Sequence, residues 1–303
     1  MDRDLKNKLA RLRELLQTYK KVAVAFSGGV DSTLLLRVAC DTLGPDNVTA
    51  LHAVSCLIPV ADQIKAERLV TGPDGIHCSY QAVKVYPLRW REFVANTEMR
   101  CYLCKKRIYG AFQRALRQKS HVGCSSASTG ASIEVPPTGG HASFIHGARE
   151  AGSSLVCVLL LDGTNSDDLQ EHRPGLQAIR ELAMKTPLAE AQLNKKDIRF
   201  LARQMGLTNW NQPSNSCLAT RMPVHQRITI PLLKRIELAE NFLQNKGFLG
   251  CRVKPGQESI VIHVLPSDLE EMIILSLHPE MIQFLENLGF DEIHLQIQGR
   301  EKS

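Results

Sequence analysis

The most constraining feature of this chain is the apolar run at residues 21–26 (KVAVAF), which passes straight into Ser27, Gly28, Gly29, Val30, Asp31 and Ser32 and then into a helical pattern over 31–43. A short apolar run ended by Ser-Gly-Gly reads as a buried strand, and the helix that follows makes a strand–turn–helix junction. The two glycines let the backbone bend tightly and come close to a bound group. Unpaired N–H groups and the dipole at the helix start then face an anion. The hydroxyls of Ser27, Ser32 and Thr33 add donors, and Asp31 is placed to orient the loop or to hold Mg2+. No Gly-Lys-Ser/Thr follows, so this is not a Walker-A loop.

The same alternation runs on. A helix is expected over 5–19, strands over 48–54 and 80–85 with a helix over 60–70 between them, and a strand over 155–161. Helices follow over 176–184 and 195–205. This order predicts an α/β fold, a doubly wound parallel sheet with ligands beyond the carboxyl ends of its strands. Residues 119–154 are rich in Ser, Gly, Thr and Pro with few charges, and are expected to form a flexible insertion. After Pro223 the pattern changes to a long helix over 231–246, strands over 251–253 and 259–264, two short helices and a strand over 292–297. We therefore expect a domain of residues 1–222 and a smaller C-terminal α+β domain of residues 223–303.

A length of 303 residues suits two domains without help from disulfides. Hydrophobic residues at 44% and charged residues at 22% exclude wholesale disorder. No apolar run approaches the roughly 20 residues of a membrane span. The first residues, MDRDLKNKLARLRELL, lack the apolar stretch of a secretory signal, so a cytoplasmic protein with no membrane contact is expected. A net charge of +6 favours anionic ligands without establishing nucleic-acid binding.

Nine cysteines, an odd number, fit a disulfide framework poorly. Cys101 and Cys104 form a Cys-x-x-Cys, and Cys217 stands apart in Asn215-Ser216-Cys217-Leu218-Ala219-Thr220-Arg221. A two-residue gap lets two thiolates share one metal or cluster, and equally suits a redox pair or half a zinc site. The acids after the 155–161 run, Asp168 among them, suit Mg2+ at the carboxyl edge of the sheet or simply cap a helix. Thr164 and Lys185 are candidate phosphate contacts.

SGGVDS after a strand resembles the PP-loop of ATP pyrophosphatases. Together with RCYLCKKRIYGAF, DGTNSDD followed by RPG, KTPLAEAQLNKKDIRFLAR and SNSCLATRMP, in this order, it resembles the LarE family of PP-loop sulfur transferases over about residues 5–118 and 154–254. The resemblance implies an adenine nucleotide alpha hydrolase-like fold that uses ATP and Mg2+. It implies adenylation of the carboxylates of a pyridinium biscarboxylate mononucleotide and their conversion to thiocarboxylates on the way to a nickel-pincer nucleotide. Cys217 matches the sulfur-bearing cysteine of family members that give up their own sulfur. Cys101, Cys104 and Cys217 together resemble members thought to carry sulfide on a [4Fe–4S] cluster.

Arg221 is then placed to stabilise the thiolate and the charge that develops on transfer, or to form a structural ion pair. Glu240 and Arg252 resemble positions of the family's substrate site, whereas VKPGQESIVIHV after Arg252 departs from it. We expect a homo-oligomer. Two rival readings are carried forward. One is a tRNA thiolase, for which the basic stripe Lys105, Lys106, Arg107, Arg114 and Arg117 would follow a phosphate backbone. The other is a catalytically inactive ATP- or AMP-binding paralogue.

Overall fold

The computed structural model describes residues 1–121, 133–134, 158–170, 174–213, 216–256 and 259–296. Its described part divides into two compact units, 1–54 with 64–85 and 101–210, and 55–63 with 86–100 and 211–303.

The first unit is built on β1 (Val22–Ala25), β2 (Val48–Val54), β3 (Ser79–Lys84), β4 (Ile133–Glu134) and β5 (Leu159–Leu161). The strands are parallel and ordered β4-β3-β2-β1-β5. Parallel neighbours need crossovers, and helices supply them: α1 (Arg3–Tyr19) leads in, α2 (Val30–Leu43) and α3 (Val60–Thr71) link the early strands, and α5 (Arg100–His121) follows the four-residue α4 (Arg91–Val94). After β5 come α6 (Pro174–Glu181), the short α7 (Pro187–Glu190) and α8 (Lys195–Gln204).

Leu5, Leu9, Leu12 and Leu16 recur at helical spacing and give α1 one apolar stripe. That stripe joins Val22 and Val24 of β1, Leu34, Leu35 and Val38 of α2, and Ile198 and Leu201 of α8 in one core. Ala23, between the two valines, is fully buried on the opposite face of the pleat. The fold is thus α/β, of the PP-loop nucleotide alpha hydrolase-like kind.

The second unit holds α9 (Ile230–Asn245), β6 (Arg252–Pro255), β7 (Ser259–His263), α10 (Leu269–Ser276), α11 (Pro279–Asn287) and β8 (Glu292–Leu295). β6 pairs antiparallel and β8 parallel with the central β7. Val253, Ile260 and Ile262 lie buried with Leu233, Ile236, Met281 and Phe290.

The structure divides the chain differently from the sequence reading. Where one cut at 222/223 was expected, the second unit also takes in 55–63 and 86–100, because hydrogen bonds tie them to the later chain. Leu218 N–H donates to Leu57 O (2.8 Å), His225 N–H to Asn96 O (2.8 Å) and Ile228 N–H to Val94 O (3.3 Å). The expected insertion 119–154 lies mostly outside the described residues. Its described pieces are regular: 119–121 extend α5, and β4 adds an edge to the sheet through Val83 and Lys84. Among the described residues no helix is long and apolar enough to cross a membrane.

Candidate active site

The candidate residues fall in both units. In the first, residues 26–29 turn the chain from β1 into α2. Gly28 has φ +78°, a conformation costly for a side chain, and a Cβ there would lie 2.8 Å from the Ala66 Cβ. Gly29 is the N-cap of α2 and offers no side-chain cap. The loop is braced from within: Ser27 and Ser32 hydroxyls lie 3.1 Å apart, Gly29 N–H donates to Ser27 Oγ (3.3 Å), and Ser32 Oγ and Thr33 Oγ1 donate to Gly29 O (3.0 and 2.9 Å). Asn209, buried, donates through Nδ2 to Gly28 O and Thr33 Oγ1, both at 2.9 Å.

The turn after β5 lies against this loop. A Cβ on Gly163 would stand 3.1 Å from the Ser32 nitrogen, a tight contact that glycine avoids. Asp162 is buried and accepts from Thr164 N–H (2.8 Å), from the Thr164 hydroxyl and from the Tyr109 hydroxyl, with Lys105 Nζ at 3.6 Å. Burial pushes its carboxyl up, but Lys105, Thr164 and Tyr109 outweigh burial and hold it below the ordinary carboxylate range. Burial and the Asp162 charge drive the Tyr109 phenol well upward.

Asp31, expected to orient the loop or bind Mg2+, meets Lys195 Nζ at 2.5 Å and Asn165 Nδ2 at 3.2 Å. Asp168 Oδ2 accepts from Asn165 N–H (3.0 Å). Both carboxylates offered to Mg2+ are thus already engaged by protein donors and do not fit a preformed cation cage. Thr164, expected at the nucleotide, gives its hydroxyl to Asp162. Lys185 contributes its backbone, a parallel bridge to Leu161 at the sheet edge, and exposes its side chain.

In the second unit Cys217 is half-buried at the N-cap of a single 3-10 turn, Leu218–Arg221. Arg221 and Glu240 are both 3% exposed and form a bidentate pair, Nε to Oε1 at 2.8 Å and Nη2 to Oε2 at 3.0 Å. Nη1 of Arg221 also donates to Ser216 O (2.6 Å) and Cys217 O (3.2 Å), while Glu240 Oε1 accepts from Val253 N–H (2.9 Å). The two residues read as thiolate stabiliser and substrate contact are therefore partners of each other, and together they position the cysteine's backbone. Arg252 opens β6 opposite His263.

Asn96, buried at φ +55°, donates to Pro223 O (2.7 Å) and Gln226 O (2.8 Å), and Arg100 donates to Ala219 O (2.9 Å). Cys101 and Cys104 lie one turn apart near the start of α5, exposed and half-buried. Among the described residues no three His, Cys, Asp or Glu side chains are gathered around one metal position.

Sequence reasoning missed Lys195, Asn165, Asn209, Asn96 and the Tyr109–Asp162 contact. Only Lys195 carried a local sign, the Asn194–Asp197 capping box that starts α8 at that residue. The basic stripe on α5 is partly neutralised, with Lys105 on Asp162 and Lys106 on Glu181 at 2.7 Å.

A parallel sheet with a glycine-lined helix start at the carboxyl end of its β1 strand is consistent with an α/β protein of PP-loop nucleotide alpha hydrolase-like fold. No family model matches the chain. It is 30% identical to an uncharacterised protein of Synechocystis, over 97% of this chain and 95% of the relative. It is 29% identical to the pyridinium-3,5-bisthiocarboxylic acid mononucleotide synthase of Lactiplantibacillus plantarum, over 97% and 92%. An uncharacterised protein of Methanocaldococcus jannaschii is 25% identical over 92% and 90%. The chain belongs to the LarE family.

Proposed function

We propose that this protein is an ATP-dependent sulfur transferase that adenylates a carboxylate of a pyridinium mononucleotide and converts it to a thiocarboxylate with sulfur from Cys217. The observation that carries the reading is the junction at Gly28 and Gly29, a bare turn opening onto an uncapped helix start. The name of the Lactiplantibacillus relative supplies the acceptor class.

A carboxylate is a poor electrophile, because its charge is delocalised and oxide is a bad leaving group. Attack of its oxygen on the α-phosphorus of ATP forms an acyl adenylate and expels pyrophosphate, which the N–H groups of the loop and Lys195 would hold. The Cys217 thiolate then attacks the acyl carbon and AMP leaves with the C–O electron pair, giving a thioester. Removal of the Cys217 Cα proton breaks the Cβ–S bond, leaving a thiocarboxylate on the substrate and dehydroalanine in the chain. Arg221 acts as a positioning residue, fixing the carbonyls of Ser216 and Cys217. ATP is taken as its Mg2+ complex, and no step is assigned to a protein-held Mg2+.

The test is a single-turnover assay with ATP and pyridinium biscarboxylate mononucleotide. Pyrophosphate release is expected, together with a Cys217 peptide lighter by the mass of one hydrogen sulfide molecule; no pyrophosphate release overturns the proposal. A second reading, a [4Fe–4S] cluster on Cys101, Cys104 and Cys217, has behind it the one-turn spacing of the first two thiols on α5. Iron and acid-labile sulfide in anaerobically purified protein, with Cys217 unchanged after turnover, would favour it. The partial neutralisation of the α5 stripe, at Lys105 and Lys106, argues against the tRNA reading, for which salt-sensitive retained tRNA is the sign.

A further inference from the structure

Two consecutive carbonyls of the glycine turn are held from a distant part of the first unit. Asn209 lies beyond the end of α8, 176 positions after Thr33, and is buried. Its Nδ2 donates to Gly28 O and to Thr33 Oγ1, both at 2.9 Å. Thr33 in turn holds Gly29 O, through Oγ1 at 2.9 Å and through its N–H at 3.0 Å. The carboxamide thus grips Gly28 O directly and Gly29 O through one hydroxyl.

The hydrogens in this cluster can go only one way. Thr33 Oγ1 spends its proton on Gly29 O, so toward Asn209 it accepts, as Gly28 O must. Both partners need a donor, and the amino end of the carboxamide supplies one hydrogen to each. Among the described residues Asn209 Oδ1 is buried with no hydrogen-bond partner. Leaving a buried amide oxygen unpaired is costly, but turning the group over would set Oδ1 against Gly28 O. A peptide group is planar and trans, so a held carbonyl also sets the N–H across its plane. Holding Gly28 O turns the Gly29 N–H the opposite way, where it meets Ser27 Oγ at 3.3 Å. Holding Gly29 O does the same for the N–H of Val30, the first residue of α2. Gly28 and Gly29 have no side chains to resist rotation of these planes, so the grip has to come from elsewhere in the fold.

We propose that Asn209 is a positioning residue for adenylation: by clamping the Gly28 and Gly29 carbonyls it fixes the N–H groups that hold the pyrophosphate portion of ATP. Its influence falls on that portion and not on the nucleoside, because both of its donors are spent on the turn. The inference rests on the reading above that pyrophosphate sits at residues 27–32.

The test is calorimetric titration of the full chain, with Mg2+ present, against inorganic pyrophosphate and separately against AMP. Asn209→Asp keeps the shape of the side chain but sets an acceptor against Gly28 O. Asn209→Leu removes the donors without adding charge, and decides the matter should the buried carboxylate prevent folding. Both variants should bind pyrophosphate about 10-fold more weakly or worse, the scale of a lost hydrogen bond to a charged group, and AMP within about twofold of the parent. Unchanged pyrophosphate affinity in the folded Leu variant overturns the proposal. Equal losses for pyrophosphate and AMP also overturn it, since a merely structural role would weaken both. A parent chain that binds AMP and takes up no pyrophosphate is a different failure: it removes the anion from this turn, and with it the reading on which the inference stands.

Discussion

At residues 27–29 the chain is shaped by what its residues lack, whereas around Cys217 it is held by what they carry. Gly28 has no Cβ to meet Ala66, Gly29 offers no side chain to cap α2, and the bracing bonds come from small hydroxyls. The Cys217 turn has no such backbone device. It rests on the guanidinium of its own Arg221, paired with the buried Glu240 carboxylate that α9 brings in. The loop ends at a helix start with no side-chain cap, while Arg221 in the turn donates back to the carbonyls of Ser216 and Cys217.

The contrast can be broken at several points. The largest effect is expected from Cys217→Ser, which should abolish thiocarboxylate formation while pyrophosphate release persists, measured in parallel assays of both products. Loss of both together would mean that the turn also serves adenylation. Next, Gly28→Val adds a branched side chain at positive φ against Ala66 and should lower pyrophosphate release about 100-fold or more, the scale of misplaced reacting groups. Retention of full activity would show that the loop is not where the nucleotide sits.

Glu240→Gln leaves the Arg221 charge buried without its counter-charge and should destabilise the second unit by about 3–5 kcal/mol, read by denaturant unfolding. The double substitution Arg221→Met with Glu240→Leu should recover much of that loss in stability, but not the rate of sulfur transfer, because the carbonyls of Ser216 and Cys217 lose their donor. The smallest expected effect concerns Asp162. Its carboxyl titrates lower folded than unfolded, so its stabilisation is complete above the ordinary carboxylate range, near pH 4, and is lost as pH falls through the depressed folded value. Thermal unfolding against pH should show a shallower acid limb in Asp162→Asn than in the parent chain.

Much of the first unit could be read in advance because its signals are local. β2 runs over Val48–Val54, as its apolar run predicted, and α8 begins at Lys195, behind its capping box. The partners of the site residues were not legible. Nothing around Asp31 indicates that Lys195, 164 positions later, would meet it, and nothing near Arg221 indicates that Glu240 would take its charge. The excursions 55–63 and 86–100 carry no compositional mark of the unit they join, since hydrogen bonds from residues 218–228 recruit them.

Residue order alone determined the parallel α/β plan, the bare glycine turn between β1 and α2, and the isolation of Cys217 from the paired thiols. These follow from periodicity, from backbone conformational freedom and from spacing, all properties of neighbours in the chain. Only the tertiary structure decided which charges neutralise one another and which hydroxyls are already committed. Such pairings depend on distance in space and on the cost of leaving a buried polar group unmatched, which no short stretch of chain encodes.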